Sequence, residues 1–333
     1  MYSKISRIEI HLPSSIRSNK ELAEKFGRWD PENMEKKVGI RERRIASPDE
    51  TAADLAFHAA EKVLKNYNRE HIDMLIFCTQ SPDYFLPTSA CLLQERLRLP
   101  NTTAAFDFNQ GCSGYIYGLS MAKAYINSGI ANTVLLLTAE TYSKHIHEKD
   151  LGNQSIFGDG AAATIIERSD KEHIFDFILG SDGSGKENLI VKNGGFRNQN
   201  TINAVPKETS SGDIYTDNHI FMNGPEIFNF TIKAVPQAVN ACLEKNKLSL
   251  DEINYVIFHQ ANKFMIDYLR KKLKISPDKF YSNMLLTGNT VSATIPIAMK
   301  DAYEKNLIRS GDKVLLCGFG VGYSWGAVVI EIL

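Results

Sequence analysis

Ile72-Asp73-Met74-Leu75-Ile76-Phe77-Cys78 and Ile253-Asn254-Tyr255-Val256-Ile257-Phe258-His259 read as one segment written twice, 181 positions apart. In both, Ile followed by Asp or Asn leads into a short apolar run of strand composition. Val134-Leu135-Leu136 and Val314-Leu315-Leu316 form a second pair, 180 positions apart. Each follows a helical pattern carrying an Ala-Tyr pair, at Ala124-Tyr125 and Ala302-Tyr303. Buried strands share Ile, Val, Leu and Phe whatever their origin, so one match carries little. Two matches agreeing in displacement are not an effect of composition, and they point to an internal repeat. The expected organisation is a duplicated α/β unit with halves 1–175 and 176–333. In a two-fold related pair, corresponding loops come together at the seam. Cys112 displaced by 180 falls at position 292, inside Gly288-Asn289-Thr290-Val291-Ser292. The repeat therefore predicts that the Cys112 turn and the Asn289 turn meet.

Strand-like and helical patterns alternate outward from these segments. Strands are expected at 74–78, 104–108, 134–138, 161–166, 174–179, 255–258, 314–317 and 327–332. Helices are expected at 88–98, 113–128, 226–243, 263–273 and 297–306. Such alternation with continuous apolar strands argues for sheets buried on both faces. Residues 182–217, rich in Gly, Asn, Ser and Thr, form the one long irregular stretch, a length that tends to carry function.

Composition narrows the class. A chain of 333 residues, 43% hydrophobic and 23% charged, is of soluble globular type and long enough to bury a large core without metals or disulfides. Lys and Arg number 38 against 39 Asp and Glu, so the basic footprint of a nucleic-acid binder is missing. No apolar run approaches the roughly 20 residues of a membrane span, and the opening residues lack a secretory apolar region. The expected location is the cytoplasm. The five cysteines, Cys78, Cys91, Cys112, Cys242 and Cys317, are odd in number and widely spaced, as expected of free thiols in a reducing compartment.

Four of those cysteines lie in apolar strand or helix patterns and read as small core residues. Cys112 differs. It sits in Phe108-Asn109-Gln110-Gly111-Cys112-Ser113-Gly114, after a strand and at the start of a helix. A helix N-terminus and its free N–H groups favour the thiolate, which is the nucleophile. His259 ends a strand and opens His259-Gln260-Ala261-Asn262, and the carboxyl ends of strands in α/β sheets are where ligands bind. Asn289, between Gly288 and Thr290, would alone be read as a turn. His145 and His147 lie beside Glu148 and Asp150 but lack a third well-spaced ligand, so no metal is expected. Gly180–Lys186 spells G-x-x-x-x-G-K, but Glu187 stands where the magnesium-binding hydroxyl belongs and no helix pattern follows, which excludes a nucleotide-phosphate loop. Arg41, Arg43 and Arg44 read as a solvated basic face, with a rim for a phosphorylated carrier as the less favoured use.

Together these motifs resemble β-ketoacyl–acyl carrier protein synthase III, of the thiolase superfamily. The likeness runs from Gly39-Ile40-Arg41-Glu42-Arg43 through Gly111-Cys112-Ser113-Gly114, Ile156-Phe157-Gly158-Asp159-Gly160-Ala161-Ala162 and Met222-Asn223-Gly224. It continues in His259-Gln260-Ala261-Asn262, Gly288-Asn289-Thr290 and Phe319-Gly320-Val321-Gly322-Tyr323-Ser324-Trp325-Gly326. The resemblance implies a five-layered αβαβα fold of two similar halves, a homodimer, and catalytic Cys112, His259 and Asn289. Cys112 would take an acyl group from a thioester of coenzyme A or of a carrier protein. His259 and Asn289 would donate hydrogen bonds to the thioester carbonyl of malonyl–acyl carrier protein as decarboxylation generates the enolate. A second oxyanion hole would use the N–H groups of Cys112 and Val321. Ile156, Phe157, Leu189, Met222, Gly224, Phe228 and Asn262 fall where relatives line the acyl and pantetheine tunnel. No cofactor is implied beyond the thioester substrates, and the partner is an acyl carrier protein.

The resemblance also has gaps. Where relatives stack adenine on Trp and hold its phosphates with two Arg, this chain carries Asn33, Lys37 and Leu151, with Trp29 nearby but out of register. The Arg that follows the His-Gln-Ala-Asn motif in relatives is matched by Phe264, beside Lys263. The expected reaction is a decarboxylative Claisen condensation in fatty acid or specialised lipid or polyketide synthesis. The alternative is an acyltransferase of the same fold that moves the acyl group to an alcohol, amine or sugar.

Overall fold

The structure, a computed structural model, describes residues 1–333. Two five-stranded sheets share one layout. The first runs Tyr2–His11, Gly160–Ser169, Thr133–Glu140, Met74–Cys78, Ala104–Phe108. The second runs Ile178–Ser181, Ser324–Glu331, Lys313–Gly320, Tyr255–Phe258, Phe280–Tyr281. In both, the first two pairings are antiparallel and the last two parallel. The register is duplicated as well. Met74 faces Val134 in one sheet and Tyr255 faces Val314 in the other, the residues linked by the two sequence offsets.

Five layers result. Helices Gly114–Asn127 and Thr294–Glu304 lie between the sheets, touching both. Ala52–Val63 and Ser89–Arg96 cover the outer face of the first sheet, and Gly224–Lys245 that of the second, where Met265 and Leu269 of Lys263–Lys272 join the same apolar cluster as Val256 and Phe258. The strands are apolar without alternation because both faces are covered. Met74 and Ile76 enter the central core, while Leu75 and Phe77 enter the outer one. The central helix Gly114–Asn127 buries Tyr115, Ile116, Leu119, Ala122 and Ile126 between two apolar surfaces. The outer helix Ala52–Val63 buries Leu55, Ala56, Ala59 and Val63 on one face and opens with a capping box between Thr51 and Asp54.

Differences from the sequence reading concentrate at the start of the chain. Strand Tyr2–His11, the hairpin of Ser15–Ser18 with Glu42–Ile45, and helices Asn19–Phe26, Pro31–Val38 and Ala52–Val63 were not expected. Tyr2–His11 is an edge strand in which Lys4, Arg7 and Glu9 interrupt the apolar signal. The strand expected at 174–179 forms later, at Ile178–Ser181, and Ile174 makes only an isolated bridge to Ile330. The irregular 182–217 stretch contains Leu189–Val191, paired with Ile220–Met222, and a small ladder of Lys207–Glu208 with Ile214–Tyr215. No helix is long and apolar enough to cross a membrane.

Candidate active site

The repeat brings the two turns together. Cys112 lies at the mouth of helix Gly114–Asn127, 5% exposed, and its sulfur is met by the backbone N–H groups of Val321 and of Cys112 itself. A Cβ placed on Gly320 would come within 2.7 Å of Cys112 Cβ and 2.8 Å of Sγ, so this strand end must be glycine for the thiol to be reached. Burial, with the nearby Glu140 adding to it, pushes the thiol up to about 12, although the two N–H groups act in the opposite direction. The resting thiolate expected from the helix terminus therefore gives way to a neutral thiol, because desolvation outweighs the N–H groups. A neutral thiol needs a proton acceptor before it can attack.

His259 sits at the end of Tyr255–Phe258, 2% exposed, its ring edge-on to Phe319 with centroids 5.5 Å apart. Phe319 is the residue before Gly320, so one strand end packs the imidazole and the next residue faces the sulfur. Burial depresses the imidazole to about 3, so it is neutral at physiological pH. Its Nδ1 is 2.7 Å from Thr294 Oγ1. Its Nε2 is 3.5 Å from Asn289 Nδ2. Asn289 is oriented by its own turn: the Val291 N–H donates to Asn289 Oδ1 at 2.9 Å, which turns the amide N–H toward Nε2 and the Ala261 carbonyl. Gly158 N–H donates to the Asn289 carbonyl and Asn289 N–H to the Ile156 carbonyl, so the turn is laced to the 156–158 segment of the other half.

The expected tunnel residues divide. Cys112, Phe157 and Leu189 belong to one buried apolar cluster, with Ile156, Met222, Phe228 and Val321 packed against it. Met222 pairs with Leu189 across a short ladder. Gly224 opens helix Gly224–Lys245, and nothing lies within 4 Å of a Cβ built on it. Asn262 spends its side-chain carbonyl capping helix Lys263–Lys272, accepting from Met265 N–H at 2.9 Å. Tyr142, missed in the sequence, joins the same cluster. Its ring is 5.2 Å from that of Phe157 and its hydroxyl donates to Gln80 Oε1. Thr294 was missed too. Neither has a local sequence signal, since each acts through a contact that only the fold creates.

Two readings are corrected. Arg43 is not on a solvated face. It is fully buried, and its guanidinium donates to the Ser155 carbonyl and to Asn19 Oδ1. Burial, and Arg17 nearby, lower it to about 9. Arg41 is exposed and paired with Glu35 at 2.8 Å. Cys91 is exposed rather than a core residue, while Cys78, Cys242 and Cys317 are buried. In the altered nucleotide region, Leu151 is buried with Leu22 and Met34, and Lys37 Nζ lies 4.9 Å from the centre of the Trp29 ring. The His147 ring packs edge-on against that of His219, and no three His, Cys, Asp or Glu side chains gather as a metal site.

Comparison with known proteins agrees with this geometry. A family profile described as 3-oxoacyl-(acyl-carrier-protein) synthase III matches residues 106–183, and its C-terminal counterpart matches residues 243–332. A β-ketoacyl-(acyl-carrier-protein) synthase III of Caldanaerobacter subterraneus subsp. tengcongensis is 39% identical over 96% of this chain and 95% of its own length. A crystal structure of a 3-oxoacyl-(acyl-carrier-protein) synthase III superposes with TM-score 0.98 at 44% identity, covering all of both chains. A 3-oxoacyl-(acyl-carrier protein) synthase from Burkholderia xenovorans superposes with TM-score 0.93 at 35% identity, covering all of this chain and 94% of its own. The thiolase-type fold and these matches define a condensing synthase, an enzyme of the transferase class. Within that class, the chain belongs to the 3-oxoacyl-(acyl-carrier-protein) synthase III family.

Proposed function

We propose that Cys112 accepts an acyl group from a coenzyme A or carrier-protein thioester and that the acyl-enzyme then condenses with malonyl–acyl carrier protein. The thiol attacks the donor carbonyl, whose oxygen takes the N–H groups of Cys112 and Val321, and the donor thiol leaves. The malonyl thioester then enters with its carbonyl toward the Asn289 amide. Carbon dioxide departs, the enolate is held by that amide beside His259, and its carbon attacks the acyl carbonyl, releasing Cys112 and a β-ketoacyl thioester. The thioesters are the only partners this chemistry needs, so no cofactor enters it.

One observation carries the reading: two backbone N–H groups converge on a buried thiol while a side-chain amide is locked toward the imidazole. The amide favours condensation over acyl transfer to an alcohol, amine or sugar, because a heteroatom acceptor needs a base and has no enolate to stabilise. In the test, purified enzyme is given an acyl donor and labelled malonyl–acyl carrier protein. Asn289→Ala is expected to keep acyl loading and lose most carbon dioxide release and β-ketoacyl product. Unchanged product formation would refute the condensing role of the amide.

Homodimerisation through the free edge of the first sheet belongs to the same reading. Strand Ala104–Phe108 has a neighbour on one side only. The loop before helix Ser89–Arg96, whose Ser89 and Ala90 N–H groups donate to Asp107 of that strand, exposes Tyr84 at 61%, Phe85 at 76% and Leu86 at 81%. A second copy pairing along this edge would cover both the unpaired backbone and the aromatic loop. Sedimentation of the wild type as a dimer, and of a Phe85→Asp, Leu86→Asp variant as a monomer, is the expected result; a wild-type monomer would refute it. A cytoplasmic location follows from the thioester substrates.

A further inference from the structure

We infer that Thr294 is a positioning residue that fixes His259 in the Nδ1–H tautomer, so that Nε2 faces the site as a proton acceptor. Thr294 Oγ1 donates to the Val291 carbonyl at 3.0 Å. A hydroxyl has one hydrogen, so toward His259 Nδ1, 2.7 Å away, it can only accept. The hydrogen between them is therefore carried by Nδ1. The far side of the ring agrees: Nε2 meets the Asn289 amide nitrogen at 3.5 Å, a donor whose orientation is set by Val291 N–H on Oδ1. An N–H on Nε2 would confront an N–H of Asn289, whereas a bare Nε2 completes the arrangement. Both ends of the imidazole thus select one tautomer, and at the buried end the hydroxyl of Thr294 sets it together with the Val291 backbone, which also bonds the ring.

The consequence falls on acylation and rests on the proposal that Cys112 is the nucleophile. As the S–C bond to the acyl carbon forms, the Cys112 S–H proton passes to Nε2. As the tetrahedral adduct expels the donor sulfur, that proton passes from Nε2 to the departing thiol. His259 ends this half-reaction neutral, with Nδ1–H unchanged. In the second half-reaction, Asn289 is then the donor present from the outset. The expectation that His259 also donates from rest gives way to an acceptor, because its hydrogen is held on the other nitrogen.

The test has two arms. Nitrogen-15 NMR of histidine-labelled enzyme, with His259 assigned by loss of its signals in His259→Gln, should show a protonated Nδ1 and a bare Nε2. Thr294→Ser should keep that pattern and Thr294→Val should lose it. A wild-type ring protonated at Nε2 and bare at Nδ1 would overturn the inference. The kinetic arm separates positioning from damage. Thr294→Val should slow acyl loading by on the order of tenfold or more, and Thr294→Ser should restore it to within about twofold. In a Cys112→Ala background, the same Thr294→Val change should raise decarboxylation of malonyl–acyl carrier protein, because the ring gains access to the Nε2–H form and a second donor. A fall in both activities would overturn the inference in favour of a structural role. If Cys112→Ala itself still loads acyl groups, the nucleophile assignment fails, while the NMR arm still decides the tautomer.

Discussion

The two halves meet at the seam with matching positions and opposite outcomes. By the sequence offsets, Cys112 corresponds to Ser292, His259 to Cys78 and Gly320 to Glu140. Both strand pairs run in the same register, so these correspondences hold in space as well as in sequence. On one side a thiol, an imidazole and a glycine leave the Cys112 sulfur beneath the N–H groups of Val321 and Cys112. On the other side the equivalent groups close on one another. Cys78 Sγ donates to the Gln110 carbonyl at 3.0 Å, and Glu140 accepts from Gln80 N–H, from Ser81 Oγ and, at 3.4 Å, from Ser292 Oγ. A Cβ on Gly114 would strike Cys78 Sγ and lie 3.4 Å from Ser292 Cβ, so that cluster is filled to contact. The connections differ too. Gly320 and Ser324 pair across a tight turn that delivers the Val321 N–H, whereas Glu140 and Gly160 are joined by a long segment carrying Tyr142, Leu151, Ile156 and Phe157. A duplicated fold offers two equivalent places for a site. Side-chain size at one strand end decides which of them opens.

That contrast can be broken at Gly320. Gly320→Ala places a methyl group against Sγ, where Glu140 places a side chain in the other half. Acyl loading is expected to fall by on the order of 100-fold, as when a reacting group is displaced by about 1 Å. Quenched-flow mass spectrometry with an acyl thioester measures it, and a rate within about twofold of wild type would show that the open strand end does not govern access.

A smaller effect sharpens the other side. Burial raises Glu140 to about 8, outweighing the hydrogen bonds from Gln80, Ser81 and Ser292 that favour its carboxylate. In the unfolded chain the group ionises near 4.5, the ordinary glutamate value. Its contribution to stability is complete below about pH 4.5 and is lost as pH rises through about 8, because the unfolded state sheds the proton first. Glu140→Gln should therefore lose less unfolding free energy than wild type between about pH 5 and about pH 8, followed by denaturant titration. Equal slopes would show that Glu140 is ionised in the fold.

Much of this contrast was legible in the sequence. The offsets gave the duplicated architecture and the meeting of the Cys112 and Asn289 turns, because strands buried on both faces leave a continuous apolar signature that survives divergence. Cys112 was visible through its glycine-flanked turn, and His259 through its place at a strand end. Asn289 was a bare turn residue until the repeat and the family resemblance placed it. Thr294, Tyr142 with Gln80, and the buried Arg43 were not legible. Each takes its role from a partner far along the chain, and local pattern favours the commoner reading, which for Arg43 was a solvated face. The first strand was hidden because an edge position tolerates the charges that erase the alternation.

The most direct measurement is intact and peptide mass spectrometry of enzyme exposed to a panel of acyl-coenzyme A and acyl–carrier protein donors. One acyl adduct per chain, on the peptide containing Cys112 and absent in Cys112→Ala, is the expected result, and its mass identifies the primer. An adduct on another residue, or full loading of Cys112→Ala, would contradict the assignment of the seam thiol as the acyl carrier.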